Sequence, residues 1–189
     1  MRLEFLPTSI NRGALSKDWG FSAQWWRGQR GEYWAIGQGL ISLGFLLLPS
    51  HALPVPAALQ AAPDSWVAPL LVVRVGLAAV FGLLALVLLL GGVQSLGENL
   101  TPLPHPRDDG SLVTTGIYGW VRHPIYSGVI LLSLAYACFL WSWPHFLGII
   151  GIFLFYDFKS RQEEVWLSQK FADYGAYCQQ VKKLIPGLY

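Results

Sequence analysis

The stretch PIYSGVILLSLAYACFLWSWPHFLGIIGIFLFY, Pro124 to Tyr156, contains no Asp, Glu, Lys or Arg. A single helix over these roughly 33 residues would run about 50 Å at 1.5 Å per residue, too long for a hydrocarbon core of about 30 Å. Trp143-Pro144 divides it, so the expected structure is a tight helical hairpin, about Ser127 to Trp143 in one direction and His145 onward in the other. Each limb is short for a bilayer. The second must therefore run on past Tyr156 to at least Glu164, which carries Lys159 and Glu163 to the membrane edge on one rigid helix.

The rest of the chain agrees with a membrane reading. Of 189 residues 53% are hydrophobic and only 13% charged, about half the charge of a soluble domain, and the mean hydropathy is +0.43. No charge occurs from Tyr33 to Pro63, where Trp34–Leu48, with an extension toward Leu53, suits one membrane helix before Pro49, Pro54 and Pro56. A second apolar run, Trp66–Val93, holds one charge, Arg74. Apart from Arg74, every Lys and Arg falls on one side of a four-span layout, which places both termini in the cytoplasm. Trp34, Trp66, Trp120, Trp141, Trp143 and Trp166 fall near span ends, where amphipathic rings sit. The expected fold is thus an all-α integral membrane protein with four transmembrane helices, a C-terminal helical hairpin and a cytoplasmic C-terminal helix. Residues 1–32 lack the apolar core of a signal peptide; Trp19, Phe21, Trp25 and Trp26 among basic residues read as a membrane-surface segment or a disordered tail. Residues 33–96 hold the first two spans. Residues 97–189 carry the polar chemistry, with a stripe of Trp166, Leu167, Phe171, Tyr174, Tyr177 and Val181 read as a terminal helix ended by Pro186.

The polar candidates lie in two places, both cytoplasmic in this layout: the loop from Glu98 to Tyr126, and Lys159 to Glu164. Each has a bland reading. Arg122 can snorkel to lipid phosphate, His123 can be a lone interfacial histidine, and Glu163-Glu164 can begin a solvated surface helix. Asp108-Asp109-Gly110 reads as a turn. On a helix Lys159 and Glu163 share a face, as do Asp157 and Arg161. Arg74 is a functional hypothesis by its depth or a snorkelling side chain. The net charge of +2 disfavours a nucleic-acid binder. No soluble nucleotide-binding motif is present, the four histidines are scattered, and Cys138 and Cys178 form no metal or redox spacing.

The ordered set Leu112-Val-Thr-Thr-Gly116-Ile-Tyr118-Gly-Trp-Val-Arg122-His123-Pro124-Ile-Tyr126-Ser-Gly128, an apolar hairpin, Glu163-Glu164-Val-Trp-Leu167, Phe171, Tyr174, Tyr177 and Val181-Lys-Lys-Leu-Ile185-Pro186 resembles the integral-membrane methyltransferases of the isoprenylcysteine carboxyl methyltransferase type. That group includes phospholipid methyltransferases. The likeness covers roughly Glu98 to Pro186. It implies S-adenosylmethionine as cofactor at the cytoplasmic membrane face, held by Leu112, Val113, Tyr118, His123, Pro124, Ile125, Tyr126 and Glu163, with backbone contacts from Gly110 and Ser111. The eukaryotic members assign an arginine four residues before the glutamate to the substrate; Lys159 stands there in this chain. A lysine lacks the planar fork that grips a carboxylate at two points.

The resemblance implies methyl transfer to a lipid-soluble acceptor, whether a prenylated or isoprenoid carboxylate, a phospholipid amine or a quinone-like phenol. It names no catalytic residue and no metal. Two rival readings are an NADPH-dependent enzyme of the sterol-reductase type and a non-catalytic membrane module that binds a partner. A bacterial inner membrane suits the small size of the chain.

Overall fold

The computed structural model describes residues 25–51 and 67–189, and these are all-helical, with α1 Glu32–Leu46, α2 Val67–Leu96, α3 Pro124–Leu140, α4 Trp143–Lys170 and α5 Tyr174–Gln180. The expected surface segment before Trp25 and the connection around 52–66, Trp66 included, lie outside the described residues.

Sequence dictates where these helices begin. Gly31, at φ +82°, turns the chain into α1 in a left-handed conformation that costs glycine little. Pro124 opens α3 and Pro144 stands in the first turn of α4, where a missing N–H leaves no hydrogen bond unmade. The hairpin therefore turns at Trp141-Ser142, slightly before the expected Trp143-Pro144, and Trp141 takes φ +52° to make that turn. A left-handed non-glycine residue costs about 1–2 kcal/mol.

α2 has the composition and length of a membrane-crossing helix. Over Pro69–Asn99 its mean hydropathy is 2.6 and only 6% of its most apolar window is buried within the protein. Leu71, Val72, Leu83, Leu86, Val87 and Leu90 all face outward. Water does not tolerate an exposed apolar surface of this extent; hydrocarbon does. α3, at about 25 Å, is apolar but shorter.

Small residues set the approach of α2 to α3. A Cβ on Gly128 would stand 2.7 Å from Leu89 Cγ and 3.1 Å from the Ala85 carbonyl oxygen, and one on Gly92 2.7 Å from Ile125 Cγ1. Close backbone contact of this kind is how helices pack where lipid removes the hydrophobic drive between them. Gly128→Val should force the helices apart and cost about 1–3 kcal/mol. Gly39→Ala, with nothing within 4 Å, should cost nothing measurable. Thermal unfolding of the two variants in matched micelles checks the contrast.

α4 runs unbroken past Tyr156 and Glu164 to Lys170, as the short hairpin requires. Its first half packs on α1 and α3 through Phe45, Ile152 and Tyr156, with Tyr126 and Tyr136 against them. The aromatic stripe, expected on one terminal helix, instead divides. Phe171 ends α4 in an extended conformation and α5 begins at Tyr174. The break folds Tyr174, Tyr177 and Val181 back onto Leu112, Leu167 and Phe171, burying a stripe that one straight helix would leave facing water.

The last residues form a strap across the start of α3. Arg122 N–H donates to Lys182 O (2.8 Å), His123 N–H to Lys183 O (3.1 Å) and Ser127 Oγ to Leu184 O (2.6 Å). Asp157 anchors that strap: it accepts from Lys183 Nζ, from Tyr189 OH at 2.8 Å and from Arg161 at 2.8 Å. Asp157 and Arg161, expected on one face, form an i,i+4 pair, and Lys159 donates to Gln38 on α1.

Candidate functional site

Between the 97–123 loop, the start of α3 and the second half of α4 lies a cavity of about 350 Å³, within the usual size range of small-molecule sites. The hairpin explains its position. α3 leaves the loop at Pro124 and α4 returns beside that point, so residues about forty apart in sequence face each other.

The centre of the site is a set of linked polar groups. Tyr126 OH donates to Glu163 Oε2 at 2.6 Å, and His123 Nδ1 stands 3.8 Å from the same oxygen. The His123 and Tyr126 rings stack, nearly coplanar in tilt, with centroids 5.3 Å apart. His123 Nε2 donates to Glu164 Oε1 at 3.0 Å, which fixes the ring from its far side.

Glu164 is a clamp. Besides His123 it accepts from Arg122 through Nε (2.9 Å) and Nη2 (2.8 Å), while Arg122 Nη1 reaches the carbonyls of Cys178 and Val181. Burial alone would push the Glu164 carboxyl up; the hydrogen bond and charge of His123, with the charge of Arg122, outweigh it and hold the group below the ordinary carboxylate range. Arg122 thus ties the loop, α4 and the terminal strap together, and it is an internal tie rather than a snorkelling cation. Glu163 and Glu164 likewise turn inward, with side chains 23% and 20% exposed, and do not start a solvated helix.

The flanks are aromatic and apolar. Tyr118 sits in the 3₁₀ turn Gly116–Gly119, and its carbonyl accepts from Tyr177 OH at 2.7 Å. Burial, then the charge of Glu163, raises the Tyr118 phenol well above its ordinary value, so it stays neutral and able to donate. Leu112, Val113 and Ile125 supply apolar wall.

The roof is the loop Leu100–Ser111. Asn99 Oδ1 accepts from Ser111 N–H at 2.8 Å and closes the loop at its base. Arg30 pairs with Asp108 at 2.7 Å, and Lys170 Nζ donates to the Arg107 and Asp108 carbonyls. Pro104 wedges against Gly31 and Trp166. Asp108-Asp109 does form the expected turn, closed by Gly110 N–H on Arg107 O.

The structure brings Leu112, Val113, Tyr118, His123, Ile125, Tyr126, Lys159 and Glu163 to the walls of this one cavity, together with Gly110 and Ser111. Pro124 is buried at the head of α3 and does not line it. Sequence reasoning missed Glu164 as a clamp, Asn99 as the loop's staple and Gln38 on α1. A capping-type Asn twelve residues before Ser111 carries no local signal. Gln38, a lone amide in an uncharged apolar run, did carry one. Among the described residues no cluster of His, Cys, Asp and Glu could hold a metal ion.

Comparison with known proteins bears on the same region. The chain is 35% identical over 104 residues to a protein-S-isoprenylcysteine O-methyltransferase of Dictyostelium discoideum, a match that covers 51% of this chain and 43% of that protein. The chain therefore spans less than half the length of that relative. The profile of the phospholipid methyltransferase family matches residues 73–174, which takes in most of α2, the roof, the hairpin and both glutamates. That match spans more than half of the chain and encloses nearly all of the cavity's polar centre, so this protein belongs to the phospholipid methyltransferase family.

Proposed function

We propose that the chain is an integral-membrane enzyme that uses S-adenosylmethionine to methylate a lipid-soluble acceptor at the cytoplasmic face of the membrane. The observation that supports this best is the convergence of Tyr118, His123, Tyr126 and Glu163 on one cavity at the end of the apolar hairpin, in a member of a methyltransferase family.

The groups present suit the cofactor. A carboxylate at Glu163 matches an α-ammonium or a ribose hydroxyl. The faces of Tyr118, His123 and Tyr126 match an adenine or a sulfonium, and Leu112, Val113 and Ile125 suit the apolar edge of either. When bound, S-adenosylmethionine supplies an electrophilic methyl carbon on a positively charged sulfur. The task of the protein is then alignment and exclusion of water, worth about 7–11 kcal/mol when two reactants are held in line. Glu163, steadied by Tyr126, holds one end of the cofactor. His123, steadied by Glu164, holds the ring wall. The pinned roof keeps bulk water out.

In this reading α1, α2, α3 and the first part of α4 are the four spans, and both termini are cytoplasmic. A membrane-impermeant thiol reagent added to sealed cells should label a cysteine placed at Gln60 and should miss native Cys178. Labelling of Cys178 would overturn the orientation. For the activity, labelled S-adenosylmethionine and total membrane lipid incubated with the purified protein should give a labelled lipid whose mass identifies the acceptor. Cofactor binding with no labelled product would leave a binding module, not an enzyme.

A further inference from the structure

The roof of the cavity is built to move as one piece. Every residue from Asn99 to Arg107, with Gly110 and Ser111, lines the cavity. Pro102, Pro104 and Pro106 each fix φ and stiffen the span between them. The two ends are joined where Ser111 N–H donates to Asn99 Oδ1 at 2.8 Å, which makes the loop a compact body on a narrow base. Gly97 precedes that base at φ +50°, with open space where a Cβ would stand. A glycine there absorbs the φ/ψ change of a hinge at little cost.

What holds the roof down at its tip is polar and breakable. Asp108, 71% exposed, pairs at 2.7 Å with Arg30 in the turn before α1. Lys170, at the end of α4, donates to the carbonyls of Arg107 and Asp108. The hydrogen bond from Arg30 keeps the Asp108 carboxyl below its ordinary range, so this pair stays charged at neutral pH. An exposed ion pair contributes little and is screened by salt. The opposite side of the cavity is bounded by apolar helices, and hydrocarbon is costly for a charged molecule. A sulfonium zwitterion therefore has to pass the roof.

We propose that the 97–111 loop is a lid that lifts to admit S-adenosylmethionine, and that the Arg30–Asp108 pair and Lys170 are the latches that set how often it lifts. This rests on the cofactor reading above. The latches close the lid over an empty and a filled cavity alike. Loosening them therefore speeds entry and release by the same factor and leaves affinity unchanged. A residue that touched the cofactor would change affinity instead.

Rapid filtration of the 189-residue chain in micelles reads both rates, from uptake of labelled S-adenosylmethionine and from its loss after a chase with unlabelled cofactor. Asp108→Asn keeps a turn-forming side chain and removes the charge; both rates should rise about threefold. Lys170→Met takes a charged donor from two carbonyls and should raise both about tenfold. In each variant the equilibrium affinity should stay within about twofold of the wild type, the size of change a lost exposed ion pair gives, which also shows that the fold is intact. Raising the salt from about 0.05 M to about 0.5 M should speed exchange in the wild type and leave Asp108→Asn unchanged, because screening acts on the pair that this variant lacks. Wild-type rates in both variants, or a change in affinity that follows one rate alone, overturns the lid and leaves the cofactor site standing. No binding of S-adenosylmethionine by the wild type overturns the cofactor reading and the lid with it.

Discussion

Glu163→Gln is expected to weaken S-adenosylmethionine binding about tenfold to a hundredfold, because a hydrogen bond to a charged group contributes about 1.5–3 kcal/mol. The substitution keeps the shape of the side chain, and its remaining carbonyl oxygen can still accept from Tyr126 OH, now 2.6 Å from Glu163 Oε2. What disappears is the negative charge at the centre of the cavity. Titration calorimetry of wild type and variant reads the difference. Near-native affinity in Glu163→Gln would remove this residue from the cofactor site even if methyl transfer is then demonstrated.

A second large effect is expected at Arg122, on stability rather than on affinity. Arg122→Ala would leave Glu164 without its guanidinium and the carbonyls of Cys178 and Val181 without a donor. Removing one partner of a buried pair costs about 3–5 kcal/mol; with side chains 11% and 20% exposed, the low end, about 3 kcal/mol, is expected. Lys182→Ala, an exposed neighbour whose backbone rather than side chain serves the strap, should be near neutral. Thermal unfolding without cofactor measures both. A cation that merely reached lipid phosphate would give two equal, small effects, and that outcome would deny Arg122 its role as the tie between loop, α4 and strap.

Much of this architecture was readable because it follows from lengths and charges. An uncharged run too long for one span and interrupted by Trp-Pro has to fold as a hairpin, and a limb too short for the bilayer has to continue, so Glu163 was placed on a helix from arithmetic alone. The i,i+4 rule gave Asp157–Arg161. Lys159 and Glu163 also share a face, since both line the cavity, but each bonds a tertiary partner, Gln38 on α1 for the lysine and Tyr126 for the glutamate. Helical periodicity over 166–181 could not show the break at Phe171, since the pattern continues in phase on α5 and only the packing onto Leu112 decides it. The assignment of Glu164 needed coordinates: two adjacent glutamates look alike in sequence, and the direction each points on α4 separates the one facing the cavity from the one that grips Arg122 and His123.

On the proposed function, the cavity bounded by His123, Tyr126 and Glu163 takes S-adenosylmethionine. Equilibrium dialysis of the purified 189-residue chain against labelled S-adenosylmethionine, run in parallel with labelled NADPH, tests this. Saturable binding of one S-adenosylmethionine per chain and none of NADPH is expected. Saturable NADPH binding with no retention of S-adenosylmethionine would contradict it.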